Sequence, residues 1–290
     1  PFMIKGEIAE FLKKNSIDVV NLCETDFSST KIAEDFIIDG YKTYVTSSCN
    51  FTGKVRLVML IKDEVSKHCR VVEDNSWDYF PVIFINVKFH ESHPYVLGGC
   101  YREWGTGNEK SIGEQIQRLS NFECRIENVR RQCKGDVWIG GDFNLNIQRF
   151  EDKSWDLKKV ADQLTEICER HGLRKIDAGP TFTYTKNDVV KLSTLDYFLS
   201  TSPNAVYGSG VSKIAAGFSD HDAILVDLPL GHRTKHAPPN RPSFLVRPPV
   251  KNAGKFTSDM KSVMSQFMKA ASQKVLSADQ LAERLTNDVR

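Results

Sequence analysis

The chain has no Cys-x-x-Cys pair among its 290 residues. Its seven cysteines, Cys23, Cys49, Cys69, Cys100, Cys124, Cys133 and Cys168, are scattered and odd in number. That argues against a zinc site or a disulfide framework and for a reducing compartment, nuclear or cytoplasmic. No apolar run approaches the ~18 residues of a membrane span, so no membrane partner is expected. There is almost no net charge: 39 basic and 37 acidic residues leave +2. Bulk charge therefore does not announce a nucleic-acid binder. No internal repeat is found, and the regular strand–helix alternation of a doubly wound nucleotide-binding fold is absent. From Leu228 to Ser258 there is no Asp or Glu, while Arg233, Lys235, Arg241, Arg247, Lys251 and Lys255 and six of the eleven prolines fall there. Such a stretch cannot bury a core and reads as a basic extended linker at 231–255.

What remains is the composition of a globular protein, 40% apolar and 26% charged. Residues 4–14 have helical spacing, with Ile4, Ile8, Phe11 and Leu12 on one face. Strand-like runs follow at 17–23, 41–46, 54–62, 80–89 and 95–100, with a turn at Asn50–Gly53. Residues 111–133 form the clearest helix, with Ser111 and Glu114 expected as a capping box. Residues 137–144, Val-Trp-Ile-Gly-Gly-Asp-Phe-Asn, read as a buried strand whose glycines turn the backbone at its end. If strand geometry persists, Asp142 and Asn144 point to one side. A helix at 157–171 is closed by Gly172. Three more strands are expected at 181–185, 194–199 and 221–228. Many strands with few helices suggest two packed sheets flanked by helices. Beyond the linker, Phe256, Met260, Val263, Met264 and Phe267 have helical spacing, so 256–290 reads as the helical start of a following domain.

Polar residues sit where these runs end: Glu24, Tyr101, Asp142 with Asn144, and Asp220 with His221, with Asp196 inside another run. Any one of them is ordinary at a strand terminus. Glu24-Thr25, Gly141-Asp142-Phe143-Asn144, Leu195-Asp196-Tyr197 and Ser219-Asp220-His221, in this order, resemble the endonuclease/exonuclease/phosphatase superfamily. The resemblance spans about residues 4–230 and implies a DNase I-like, four-layer α/β sandwich. Tyr101-Arg102, the Ser193-to-Asp196 spacing and the basic linker make it most similar to the endonuclease of a non-LTR retrotransposon polyprotein. In that family a reverse transcriptase follows in the same polyprotein. No Tyr-x-Asp-Asp occurs here, so the polymerase itself is not in this chain.

The resemblance implies a Mg²⁺-dependent DNA endonuclease, with Mn²⁺ as a possible substitute. Glu24 would hold the metal. Asp142 would deprotonate the attacking water, and Asn144 would fix that water or donate to the phosphate. His221 would donate to a phosphoryl oxygen while Asp196 holds its other ring nitrogen, and Asp220 would support the metal or the proton relay. Tyr101 would donate to the phosphate. Arg102, Thr183 and Ser193 would touch substrate. In the superfamily a strand ending in an Asn precedes the first helix. Here residues 4–14 read as that helix, so a missing first strand and a poorly active fragment are expected. Such a strand would bury roughly 6–12 kcal/mol of apolar side chains, about the stability of a whole domain. Trp104 stands where abasic endonucleases carry an Asn. Two rivals stay open: a phosphatase of the same fold acting on a lipid or small phosphate, and a decayed domain that only binds nucleic acid.

Overall fold

The computed structural model describes residues 5–46, 53–75, 80–89, 93–105, 107–186, 189–204 and 210–229. The chain divides into two compact units, Pro1–Thr234 and Lys235–Arg290. The expected helical segment at 256–290, the linker at 231–255 and residues 50–52 of the expected turn lie outside the described residues.

The first unit is built on strand β3 (Val55–Lys62). Leu57, Met59 and Ile61 pack on Ile83 and Ile85 of β5 (Val82–Val87). Val58 and Leu60 point the other way, onto Ile8 and Leu12 of α1 (Lys5–Lys14). Both faces are covered, which is why β3 reads as a continuous apolar run rather than an alternating one. The same division runs through β5. Its Val82 and Phe84 join Leu119, Phe122, Ile126 and Val129 of α4 (Glu109–Gln132) and Val160, Leu164 and Ile167 of α5 (Lys158–His171). The layers are therefore helix, sheet, sheet, helices, with each fully buried Leu, Ile, Val or Phe contributing ~1.5–3 kcal/mol.

One sheet has the order β1 (Val19–Phe27), β3, β2 (Tyr41–Val45). The other has six strands: β4 (Cys69–Asn75), β5, β6 (Tyr95–Tyr101), β7 (Asp136–Asp142), β11 (Asp196–Ser200) and β8 (Arg174–Ile176). β6 and β7 are parallel, and α4 makes the crossover between them. Two pairs complete the described strands: the hairpin β9 (Phe182–Lys186) with β10 (Val189–Ser193), and β12 (Val211–Ala215) with β13 (Asp222–Val226). Short helices α2 (Thr30–Glu34) and α3 (Asp63–Ser66) flank β2 and β3.

Two local expectations are corrected. α4 starts at Glu109, because Asn108 is its cap: the Asn108 side chain accepts from the Ser111 N–H at 2.9 Å. Asn caps as well as Ser, and Ser111 instead receives the Gln115 amide at 3.0 Å. Gly140 and Gly141 do not turn the chain. They lie inside β7, opposite Phe198 and Tyr197. A Cβ on Gly141 would sit 1.9 Å from the Cys100 carbonyl oxygen, and one on Gly140 would sit 2.5 Å from the Phe198 ring. These glycines allow close approach of neighbouring strands.

A cavity of about 850 Å³ opens between β1 and β13. A strand face would contribute every second residue to it. Instead every residue of β1 and of β13 lines it, so its walls are the strands' edges. Among the described residues β1 is paired only with β3, and β13 only with β12.

Candidate active site

The register of three adjacent strands assembles the centre of the site. Tyr101 ends β6, Asp142 ends β7 and Asp196 opens β11. Tyr101 pairs with Asp142, and Asp142 with Asp196. Paired residues share a face, so the three side chains stand in a row. Asp142 is 5% exposed. Burial, and then the neighbouring Asp196 carboxylate, push its pKa up to about 7.

His221 comes from the other side of the sandwich, directly before β13. Its Nδ1 lies 2.8 Å from Asp196 Oδ2. The same oxygen accepts from Thr181 Oγ1 at 2.6 Å. Burial opposes the charged imidazole, but the Asp196 contact outweighs it and carries His221 up to about 9. His221 is therefore an imidazolium at neutral pH, with Nε2 as its remaining donor. Ligand atoms of Asp142, Asp196 and His221 lie within 4.8 Å of one another.

A second group sits at the end of β1. Tyr101 donates to Glu24 Oε1 at 2.5 Å. Arg56 of β3 donates to the Tyr101 hydroxyl at 2.9 Å and to Glu24 at 3.3 Å. Burial and the Glu24 hydrogen bond hold the Tyr101 phenol far above its ordinary range. Glu24 and Asp26 have φ of 55° and 53°, left-handed values at the β-bulge that ends β1. Non-glycine residues rarely adopt them, and they gather at functional sites. Glu24, Asp142, Asp196, Asp220 and His221 all line the cavity between β1 and β13.

The fold is shared with known proteins. Residues 100–225 match the family described as endonuclease-reverse transcriptase. Among solved structures, the chain is similar to the endonuclease domain of TRAS1, a telomere-specific non-LTR retrotransposon. Identity is 15% and the TM-score 0.54, over 78% of this chain and 92% of that one. It is also similar to the AP endonuclease LMAP from Leishmania major, at 17% identity and TM-score 0.57, over 76% and 81%. D. rerio TDP2, solved with a single strand DNA product, matches at 13% and 0.52, over 77% and 90%. No curated protein matches the chain. The fold is that of the endonuclease/exonuclease/phosphatase superfamily.

Within this endonuclease/exonuclease/phosphatase fold, several expected residues take unexpected positions. Arg102 cannot reach a DNA phosphate, since it is 0% exposed. Its Nη2 donates to the Asn144 carbonyl at 2.6 Å, its Nη1 to Gln115 Oε1 at 2.7 Å and its Nε to the Phe143 carbonyl at 2.5 Å. Burial pulls its pKa down to about 10, which leaves it charged at neutral pH. Its task is to hold the turn after Asp142.

Asn144 does not continue the strand, because its φ is 48°. It folds back instead. Its N–H donates to Asp142 Oδ1 at 2.8 Å, and its amide donates to Asp142 Oδ2 at 3.1 Å and to the Arg102 carbonyl at 2.9 Å. Both amide hydrogens are engaged, so Asn144 orients Asp142 rather than a phosphate. Tyr101 likewise spends its one hydroxyl hydrogen on Glu24. Thr183 lies exposed on β9, opposite Leu192, and Ser193 takes part through its carbonyl, which accepts the Thr181 N–H at 3.0 Å. The threonine on Asp196 is Thr181. Asp220 is exposed at the cavity mouth.

Thr181 and Arg56 were missed by sequence reasoning. The Thr181–Asp196 interval offered a signal of the same kind as Thr183. Arg56 sits inside an apolar strand, and a buried-strand basic residue was the available clue. A second cluster, Glu123, Glu127 and His171, lies on α4 and α5. Glu123 is already paired with Arg170 at 2.8 Å.

A pH dependence follows for the protein in the absence of metal. Asp142 is raised above its unfolded value of 3.8, so its protonated form favours the folded state, and that advantage is lost as pH rises through about 7. His221 is raised above 6.5, so its contribution is full below 6.5 and lost as pH rises through about 9. Both act in one direction. In EDTA the thermal midpoint is expected to fall steadily from pH 4 to pH 9. Asp142→Asn should flatten the lower half of that slope; an unchanged slope would contradict the assignment.

Proposed function

We propose that this chain is a divalent-metal-dependent DNA endonuclease. It nicks target DNA and leaves a 3′-hydroxyl that a reverse transcriptase of the same polyprotein extends. The observation that carries this reading is the group on one cavity: a buried Asp142 paired with Asp196, whose Oδ2 lies 2.8 Å from His221 Nδ1. A base poised near 7 suits activation of water. A fixed cation suits the charge that develops on a phosphoryl oxygen.

The donor set fits a hard divalent cation. Two neighbouring carboxylates and the outward-facing Glu24 carboxylate offer oxygen ligands, and one of those carboxylates is destabilised by the other. Glu24 would hold the ion, with Asp220 in support, and Mg²⁺ with Mn²⁺ as substitute is the proposed choice. When bound, such an ion would supply positive charge to offset that on the phosphate and the leaving oxygen. Asp142 takes the proton of the attacking water, which forms a new P–O bond as the P–O3′ bond breaks. Asn144 and Arg102 hold Asp142 still. Asp196 and Thr181 hold His221, and Tyr101 and Arg56 hold Glu24.

The edges that wall the cavity support the expectation that the domain uses one further strand. An extended segment between β1 and β13 would pair with both and give the first sheet six strands, as in the second. We place the boundary of the domain near residue 230 with the linker and the following domain beyond it, and its localisation in the nucleus or cytoplasm.

DNA is preferred over a lipid or small phosphate by the match to an endonuclease-reverse transcriptase family and by the likeness to the TRAS1 endonuclease. Turnover of a DNA duplex and of inositol phosphates, each with Mg²⁺ and with EDTA, tests this. Release of inorganic phosphate from the inositol phosphates with intact DNA would replace the endonuclease reading with the phosphatase one.

A further inference from the structure

Trp104 is 70% exposed, the most exposed large apolar side chain among the described residues. The contrast with the protein's other described tryptophans is clear. Trp138 is 2% exposed, and Trp155 packs on Phe150 and Arg149. Trp104 makes no ring contact among the described residues.

Its neighbours in the chain, however, are well contacted. Two residues before it, Arg102 is anchored through its guanidinium. The Arg102 N–H donates to the Asp142 carbonyl at 2.9 Å, and its carbonyl accepts the Asn144 amide. One residue after it, Gly105 lies so close to Gln115 that a Cβ would meet the side-chain amide at 2.4 Å. Asn108 then caps α4. The neighbouring Glu103 acts electrostatically on Arg56, the arginine that bonds Glu24 and Tyr101. The indole is thus an exposed aromatic plate two residues from Arg102, whose backbone touches both Asp142 and Asn144.

We infer that Trp104 is a substrate-positioning residue whose indole stacks on an unpaired nucleobase beside the scissile phosphodiester. This rests on the nuclease reading. Every base has a π-face, so a stacking platform binds single-stranded or locally opened DNA with little regard to sequence.

The test is binding of a short single-stranded oligonucleotide to the full chain in EDTA, where no hydrolysis occurs. The same oligonucleotide with one abasic spacer at successive positions is run in parallel. Trp104→Ala should weaken binding by about 5- to 150-fold, the equivalent of one stacked base. Trp104→Phe should recover most of it. A spacer at one position should weaken the wild type and leave Trp104→Ala unaffected. Equal affinity for wild type and Trp104→Ala, or no position-specific spacer effect, would overturn the inference even if the protein nicks DNA. Trp104-dependent binding without nicking would uphold it while the catalytic reading fails. A wild type that binds no oligonucleotide would overturn it.

Discussion

His221→Ala should lower phosphodiester hydrolysis by about 10²–10⁴-fold, the usual worth of a positioned proton donor or acceptor. Two effects combine. The substitution removes the imidazolium proposed to meet the phosphoryl oxygen. It also leaves Asp196 facing Asp142 with only Thr181 to satisfy it. His221 is one of the groups that holds the Asp142 pKa down, so without it Asp142 keeps its proton to higher pH. The acid limb of the pH–rate profile should move upward together with the loss of rate. DNA affinity should change little, because binding is dominated by contacts to other phosphates. A variant that hydrolyses DNA at the wild-type rate would remove His221 from the mechanism. One that loses DNA binding in parallel would favour a domain that only binds nucleic acid.

Arg102→Ala should be the most destabilising single change at the site, by about 3–5 kcal/mol, the usual cost of removing one partner of a buried charged network. The guanidinium serves the Phe143 and Asn144 carbonyls and the Gln115 amide oxygen, and its removal leaves buried acceptors without a donor, at ~1–3 kcal/mol each. Lys should not restore the loss. A single ammonium cannot reproduce the planar fork that meets three acceptors at once. Denaturant unfolding measures the effect directly. A loss below about 1 kcal/mol would show that water or a neighbouring group replaces Arg102, and a loss of activity without a loss of stability would return it to the substrate.

These two residues show what was legible in the sequence and what was not. The acids and His221 were legible in the wording and order of Glu24-Thr25, Gly141-to-Asn144, Leu195-to-Tyr197 and Ser219-to-His221, whereas the register that aligns Tyr101, Asp142 and Asp196 belongs to the folded sheet. The layered fold was legible in β3 and β5, whose unbroken apolar character requires cover on both faces. Direction was not legible. Tyr101-Arg102 as letters does not say that the arginine points inward, away from the cavity, and the parallel β6–β7 pairing is what turns it there. Thr181 directly precedes the β9–β10 hairpin and Thr183 lies within it, and only the packed structure distinguishes the one on Asp196. The left-handed turn at Asn144 was hidden because the chain leaves β7 after Asp142, two residues before the end of the strand expected at 137–144. β4, β8, β10 and β12 have no counterpart among the expected strands, and for β10 the reason is its exposure. Val189, Val190 and Leu192 of β10 are more than half exposed, so that strand has no apolar face against a core to announce it.

The measurement that most directly tests the account is relaxation of supercoiled plasmid by the purified chain with Mg²⁺, with EDTA, and with Asp142→Ala. A version carrying an added alternating apolar strand, to pair between β1 and β13, is run beside it. The account predicts open-circular product with 3′-hydroxyl ends, abolished by EDTA and by Asp142→Ala and strengthened by the added strand. Nicking that survives Asp142→Ala, or no nicking by any folded version, would contradict it.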